Sequence, residues 1–99
     1  MQEDESKIKW GQFIAGDKDA YGWIYKVHIQ TLFQYGKRFT SDTELIKDCI
    51  QEVFTKLYNN RKRLIIPDNI KLYLLIALKN CLINALYQES HYERYNSET

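Results

Sequence analysis

Apolar residues recur along the chain at intervals of three and four, and no alternating run longer than four residues competes with them. The pattern predicts four helices joined by short connections. The first runs from about Ser6 to Ala15, with Ile8, Phe13 and Ile14 on its apolar side and Gly16 ending it. Asp17 is placed to cap the second helix, since its carboxylate can accept from backbone N–H groups two or three residues on. Tyr21, Ile24, Tyr25, His28, Leu32, Tyr35 and Phe39 then form one stripe of helical period, so this helix ends near Phe39. Ser41-Asp42-Thr43-Glu44 reads as a capping box in which Ser41 caps the third helix and Glu44 reaches back.

The third helix sets Leu45, Ile46, Cys49, Ile50, Val53, Phe54, Leu57 and Tyr58 on one broad apolar face. Its opposite face carries Asp48, Gln51, Glu52, Thr55 and Lys56. Asn59-Asn60-Arg61 ends it, a loop leads to Pro67, and Asp68 or Asn69 caps a fourth helix reaching at least Tyr87. That last helix is apolar on most sides between Leu72 and Tyr87, so it is central in its bundle or covered by a partner. Lys79, Asn80 and Asn84 share a side and mark its exposed stripe. The expected fold is all-α, a compact bundle of about four helices over residues 6–92, with flexible ends at 1–5 and 93–99.

Ninety-nine residues make one domain, which hides roughly 60–65% of the surface of its unfolded chain. That allows one modest core and leaves little room for a buried catalytic cavity. The 44% apolar share belongs to a folding sequence, and a net charge of +1 excludes a strongly polycationic coat. The charge is uneven, however. Residues 61–79 hold five basic side chains (Arg61, Lys62, Arg63, Lys71 and Lys79) against the single acidic Asp68.

Cys49 and Cys81 both lie inside apolar helical patterns, belong to no CxxC pair, and read as buried small hydrophobes. The polar, acidic start (Gln2-Glu3-Asp4-Glu5) has no signal-peptide character, which places the chain in a reducing cytoplasm. The apolar stretch Leu72 to Leu78 is far shorter than the roughly 20 residues of a membrane span. His28 on the apolar stripe and His91 near the end offer no metal pair. Ser6, Ser41, Ser90 and Ser97 have no triad partners, and no glycine-rich phosphate loop is present. Asp17 and Asp19 sit at a helix start, where capping accounts for them. Neither an enzyme, a metal site nor a cofactor is expected.

Three segments carry a family resemblance. Gly16-Asp17-Lys18-Asp19-Ala20-Tyr21, followed by Ile24-Tyr25 and Leu32-Phe33-Gln34-Tyr35, resembles the "GDxxAFxxLYxxY…LxxYA" opening of extracytoplasmic-function sigma factors. Asp48 through Tyr58 is similar to their "EDxxQEVFxKLW" segment, with Tyr58 where Trp is usual. Tyr73-Leu74 through Asn80 and Asn84 resembles "YLxxxxxNxxxD", with Asn84 in place of Asp. The match runs over residues 8–88 in the family's own order. It implies sigma region 2, a four-helix domain that docks on a coiled coil of the RNA polymerase β′ subunit. Such domains also help to open promoter DNA at the −10 element. Full-length members carry a second helical domain reading the −35 element; none is recognisable here, so a fragment or a lone region 2 is expected.

On this resemblance Asp48, Gln51, Glu52, Thr55 and Lys56 form the polymerase-docking ridge. Electrostatic complementarity there sets specificity and on-rate, while Ile50, Val53 and Phe54 read as core. Arg61, Lys62, Arg63, Lys71 and Lys79 supply cations for phosphates, whose neutralisation releases counterions. Asn69, Asn80 and Asn84 can hydrogen-bond base edges. Tyr73, with Tyr58, can offer a stacking face to unpaired bases, and the loop between the third and fourth helices is the place for an extruded base. Where the family is basic after its fourth helix, Leu86-Tyr87-Gln88-Glu89-Ser90-His91 is neutral to acidic, so DNA affinity of the isolated domain should be weak. Two alternatives stand beside this reading. One is a protein-interaction module that binds polymerase or an anti-sigma factor without promoter reading; the other is a helical homodimer joined through the fourth helix.

Overall fold

Four α-helices account for most of the chain in the computed structural model: α1 (Gln2–Ile14), α2 (Lys18–Gly36), α3 (Thr43–Asn59) and α4 (Ile70–Glu98). A single 3-10 turn, Arg61–Arg63, lies between α3 and α4. The structure describes the backbone of residues 2–98 and the side chains of residues 2–90. Expectations for His91, Ser97 and the 93–99 end therefore concern side chains outside the described residues. Among the described residues there is no strand, and the fold is all-α. α2 packs on all three other helices, and α3 lies against α4.

The core is the meeting line of these helices. Trp10, Phe13, Ile24, Leu32, Ile46, Ile50, Phe54, Ile70, Leu74, Leu78 and Leu82 are all buried. Val53 and Leu57 join them, so the apolar face read for α3 is the face the fold uses. Aromatic rings knit three helices together: the ring centres of Phe13 and Tyr21 are 5.1 Å apart, and those of Tyr25 and Phe54 are 5.0 Å apart. The Tyr21 hydroxyl donates to the Phe54 carbonyl at 2.8 Å, and burial pushes its pKa above the ordinary phenol value. His28 is buried as well, its Nδ1 2.8 Å from the Ile24 carbonyl one turn back. Since a carbonyl oxygen only accepts, Nδ1 is the donor in that bond.

Helix boundaries depart from the sequence pattern in three places. α1 begins at Gln2 rather than Ser6, and its inward residues are Ser6, Trp10 and Phe13. Ile8 faces outward at 62% exposure. Two forces extend the helix: Glu3, Asp4 and Glu5 complement its dipole, and the Glu3 carboxylate accepts from the Ile70 backbone N–H, tying α1 to the start of α4. Trp10 adds a second tie by donating from Nε1 to the Ile65 carbonyl at 3.1 Å.

α2 stops at Gly36, three residues before Phe39, and this last residue passes close to Ile46 of α3. Phe39 still packs, with its ring 5.2 Å from that of Tyr35. Asp42, not Ser41, caps α3 by accepting from the Leu45 N–H at 3.1 Å. The capping box does not form. Glu44 pairs with Lys47 instead, at 3.6 Å, and Thr40 Oγ1 accepts from the Asp42 N–H. The remaining caps follow the sequence: Asp17 accepts from Asp19 and Ala20, Gly16 ends α1 at a φ of 107°, and Asn69 accepts from Leu72.

α4 turns one full face inward, with Ile70, Leu74, Leu78 and Leu82 at 0% exposure. Lys79, Asn80 and Asn84 are exposed as expected, but they do not occupy the outer face alone. Leu72, Ile76 and Ile83 are between 44% and 51% exposed and lie between Lys79 on one side and Asn80 and Asn84 on the other. The stretch Ile70–Ser90 is thus long and apolar enough to cross a membrane by length and composition. Its inner face packs on α2 and α3 while its outer side is exposed, and this weakly apolar segment does not indicate a membrane protein.

Candidate functional site

Asp48, Gln51, Glu52, Thr55 and Lys56 are all exposed and run along one side of α3, opposite its buried face. The helix was bound to place them so, because burying Ile46, Cys49, Ile50, Val53, Phe54 and Leu57 leaves only that side for water. Glu52 and Lys56 form an ion pair at 3.4 Å. The Cys81 thiol on α4 also donates to Glu52, Sγ to Oε2 at 2.8 Å. This thiol bond, and then the Lys56 ammonium, holds the Glu52 carboxyl below the usual carboxylate range. The ridge is therefore polar and of mixed sign, and Glu52 is already engaged on both its oxygens.

Beside the ridge, α2 and α3 enclose an open groove of about 700 Å³. Ile29, Phe33 and Ile50 supply apolar lining, and Lys26, Lys47 and Gln51 stand among the polar residues around them. Reading the sequence missed Ile29 and Phe33 as functional candidates. A signal was available: they are apolar residues four apart that fall off the buried Ile24–His28–Leu32 stripe, hence on a second apolar strip of α2.

The basic residues are less uniform. Lys62 and Arg63 project from the 3-10 turn and are exposed, as are Lys71 and Lys79. Arg61 is half-buried: its guanidinium lies 4.3 Å from the Tyr58 ring centre and donates to the Tyr58 carbonyl at 2.8 Å. Asn69 is likewise committed, its Oδ1 accepting from the Leu72 N–H at 2.9 Å. Tyr73 is 38% exposed, and its ring centre lies 5.7 Å from that of Trp10 in an edge-to-face contact. A smaller pocket of about 190 Å³ opens where α3 ends and α4 begins, lined in part by Tyr73, Leu64, Asn60 and Lys56. Lys79, Asn80 and Asn84 lie about two to three turns beyond Tyr73 along α4, so the predicted DNA-facing residues extend along the helix rather than clustering at the loop.

A family model for sigma-70 region 2 matches residues 24–92, more than two thirds of the chain. The chain belongs to the sigma-70 region 2 family. Region 2 domains bind RNA polymerase and contact the −10 promoter element, and they are transcription initiation factor domains rather than enzymes. No curated protein and no solved structure matched the chain significantly. The sigma region 2 match takes in all of α3, the 3-10 turn and the exposed part of α4, so both candidate surfaces lie within it. α1 lies before the match, although it is bonded to α4 and to the connecting loop.

One grouping was invisible in the sequence. Cys49 and Cys81 are 32 positions apart, yet their sulfurs and a Glu52 carboxylate oxygen lie within 4.8 Å of one another. Burial raises the pKa of both thiols, and in Cys81 the bond to Glu52 adds to the effect.

Proposed function

We propose that this sigma region 2 domain is of the extracytoplasmic-function type. It docks on the β′ coiled coil of polymerase through Asp48, Gln51, Glu52, Thr55 and Lys56. The observation carrying this reading is the adjacency of that ridge to the apolar groove between α2 and α3. A ridge alone supplies steering, whereas a partner helix also needs an apolar seat from which water is excluded. Ile29 and Phe33 furnish one within reach of Gln51. A cytoplasmic setting, where polymerase works, goes with this function.

On the DNA side, Lys62, Arg63 and Lys71 meet the phosphates of the melted −10 strand, with Lys79, Asn80 and Asn84 farther along α4. The pocket beside Tyr73 takes an unpaired base, with the exposed ring as its stacking face. The test is a titration of the chain against core RNA polymerase, run beside a Gln51→Ala, Asp48→Lys variant. The reading requires that the variant lose most of the affinity while keeping its helical content. Equal binding by the two would remove α3 as the docking surface.

A second reading has a specific observation in its favour. Arg61 and Asn69 are both committed to backbone carbonyl or N–H groups, which thins the DNA-facing set. A module that occupies polymerase or binds an anti-sigma factor without promoter reading would need no more. Crosslinks from the 61–71 loop to non-template DNA in a promoter complex would exclude it.

A further inference from the structure

We propose that Cys49, Glu52 and Cys81 form a zinc site joining α3 to α4. Their ligand atoms are within 4.8 Å of one another, with Cys81 Sγ and Glu52 Oε2 2.8 Å apart. Zn–S bonds of about 2.3 Å set two thiolates about 3.8 Å apart in a tetrahedral site, a separation that lies inside the 4.8 Å already spanning the three ligand atoms. Cys49 and Glu52 are one turn apart on α3, at the border between its buried face and its exposed ridge, while Cys81 comes from the facing helix. Two thiolates with one carboxylate select a borderline-soft cation such as Zn²⁺ over Mg²⁺ or Ca²⁺, which take oxygen ligands.

The surroundings complete the case. Glu52, Cys81, Asn84 and Gln88 line one cleft, so a fourth position is open to water or to the Asn84 amide oxygen. The cleft side of the site is reachable, while Cys49 anchors the other side at 3% exposure. Binding replaces the two thiol protons, which leave to solvent as two H⁺, and the metal takes the Oε2 lone pair that the Cys81 thiol now uses. Two thiolates, one carboxylate and Zn²⁺ sum to a single negative charge. Lys56, 3.4 Å from Glu52 Oε1, stands where it offsets that charge.

Resting on the docking reading above, a consequence follows for polymerase. Glu52 belongs to the ridge, so a filled site withdraws its carboxylate from the partner and staples the docking helix to α4. Metal then weakens docking.

The experiment is a Co²⁺ titration of the full chain under a phosphine reductant, followed by displacement with Zn²⁺. One equivalent should give the near-ultraviolet thiolate-to-cobalt charge-transfer band and the visible bands of a tetrahedral centre. Zn²⁺ should erase both, with two protons released per metal. Cys81→Ser should lose at least about half of the charge-transfer intensity, one of the two thiolates being removed. Glu52→Gln alters an exposed side chain and leaves the core alone; it should keep the sulfur band and weaken binding at least about tenfold, the loss that even outer-shell partners give. A folded, reduced chain with no such band, or a Cys81→Ser variant with the wild-type band, overturns the site. Binding to core polymerase with and without Zn²⁺ separates the two readings. Equal affinity with the cobalt band present removes only the coupling, whereas no binding by the metal-free chain refutes the docking surface instead.

Discussion

Gly36, the last residue of α2, lies directly against Ile46 of α3: a β-carbon built on Gly36 would stand 2.7 Å from Ile46 Cγ2. Two effects of Gly36→Ala oppose each other. Alanine in a helix gains about 1 kcal/mol over glycine. Overpacking a fixed neighbour costs about 1–3 kcal/mol. Ile46 is fully buried and has nowhere to withdraw, so the clash prevails. Gly36→Ala should destabilise the domain by up to about 2 kcal/mol, measured as a lower urea midpoint at unchanged slope.

The start of α3 gives a paired prediction. Asp42 caps the helix through the Leu45 N–H, while the neighbouring Ser41 makes no capping bond. Asp42→Ala should therefore cost about 1 kcal/mol, and Ser41→Ala should lie within about 0.5 kcal/mol of the parent. Thermal melts of both variants check this. Equal losses would restore the capping box that the sequence pattern offers.

That cap illustrates what the sequence could and could not convey. The helices, their buried faces and the exposed α3 ridge follow from spacing, because a period of 3.6 leaves Ile46, Ile50 and Phe54 one way to face inward. Caps and termini depend on competition between neighbours. Ser41 and Asp42 are both good cap residues, and the choice between them is made by Thr40, which holds the Asp42 N–H. One of the two forces that extend α1 comes from Ile70, 67 residues away, which presents its N–H to Glu3. The same holds for function. Lys62 and Arg63 are exposed cations as their sequence implies, but Arg61 is spent on Tyr58, and the thiol pair exists only once α4 lies on α3.

The thiols give stability a pH dependence whose sign is fixed by their environment. Burial first, and then the bond to Glu52, raises the Cys81 pKa above its ordinary 9.0, and burial does the same for Cys49. Groups whose folded pKa is raised contribute stability that is intact below the unfolded pKa. Above pH 9 the unfolded chain releases thiol protons that the folded chain keeps, so stability falls as pH rises. Urea midpoints taken in the presence of a chelator should drop above pH 9 more steeply for the parent than for Cys81→Ser. Parallel curves would show that the thiol is not held in its protonated form.

The three residues of the 3-10 turn should divide their labour. Arg61 stacks on Tyr58 at 4.3 Å and donates to its carbonyl, so its charge is fixed at the C-terminal end of α3. A cation there also favours the helix dipole, and Arg61→Ala should cost about 0.5–1 kcal/mol of stability. Lys62 and Arg63 are exposed, and among the described residues no salt bridge involves either. They remain available to phosphates. In a promoter-melting assay with core polymerase, Lys62→Ala with Arg63→Ala should flatten the dependence of log affinity on log salt by about 0.7 per lost single-strand contact. Arg61→Ala should leave that slope near the parental value while lowering the melting temperature. The reverse pattern would place Arg61 on the DNA and return Lys62 and Arg63 to solvent.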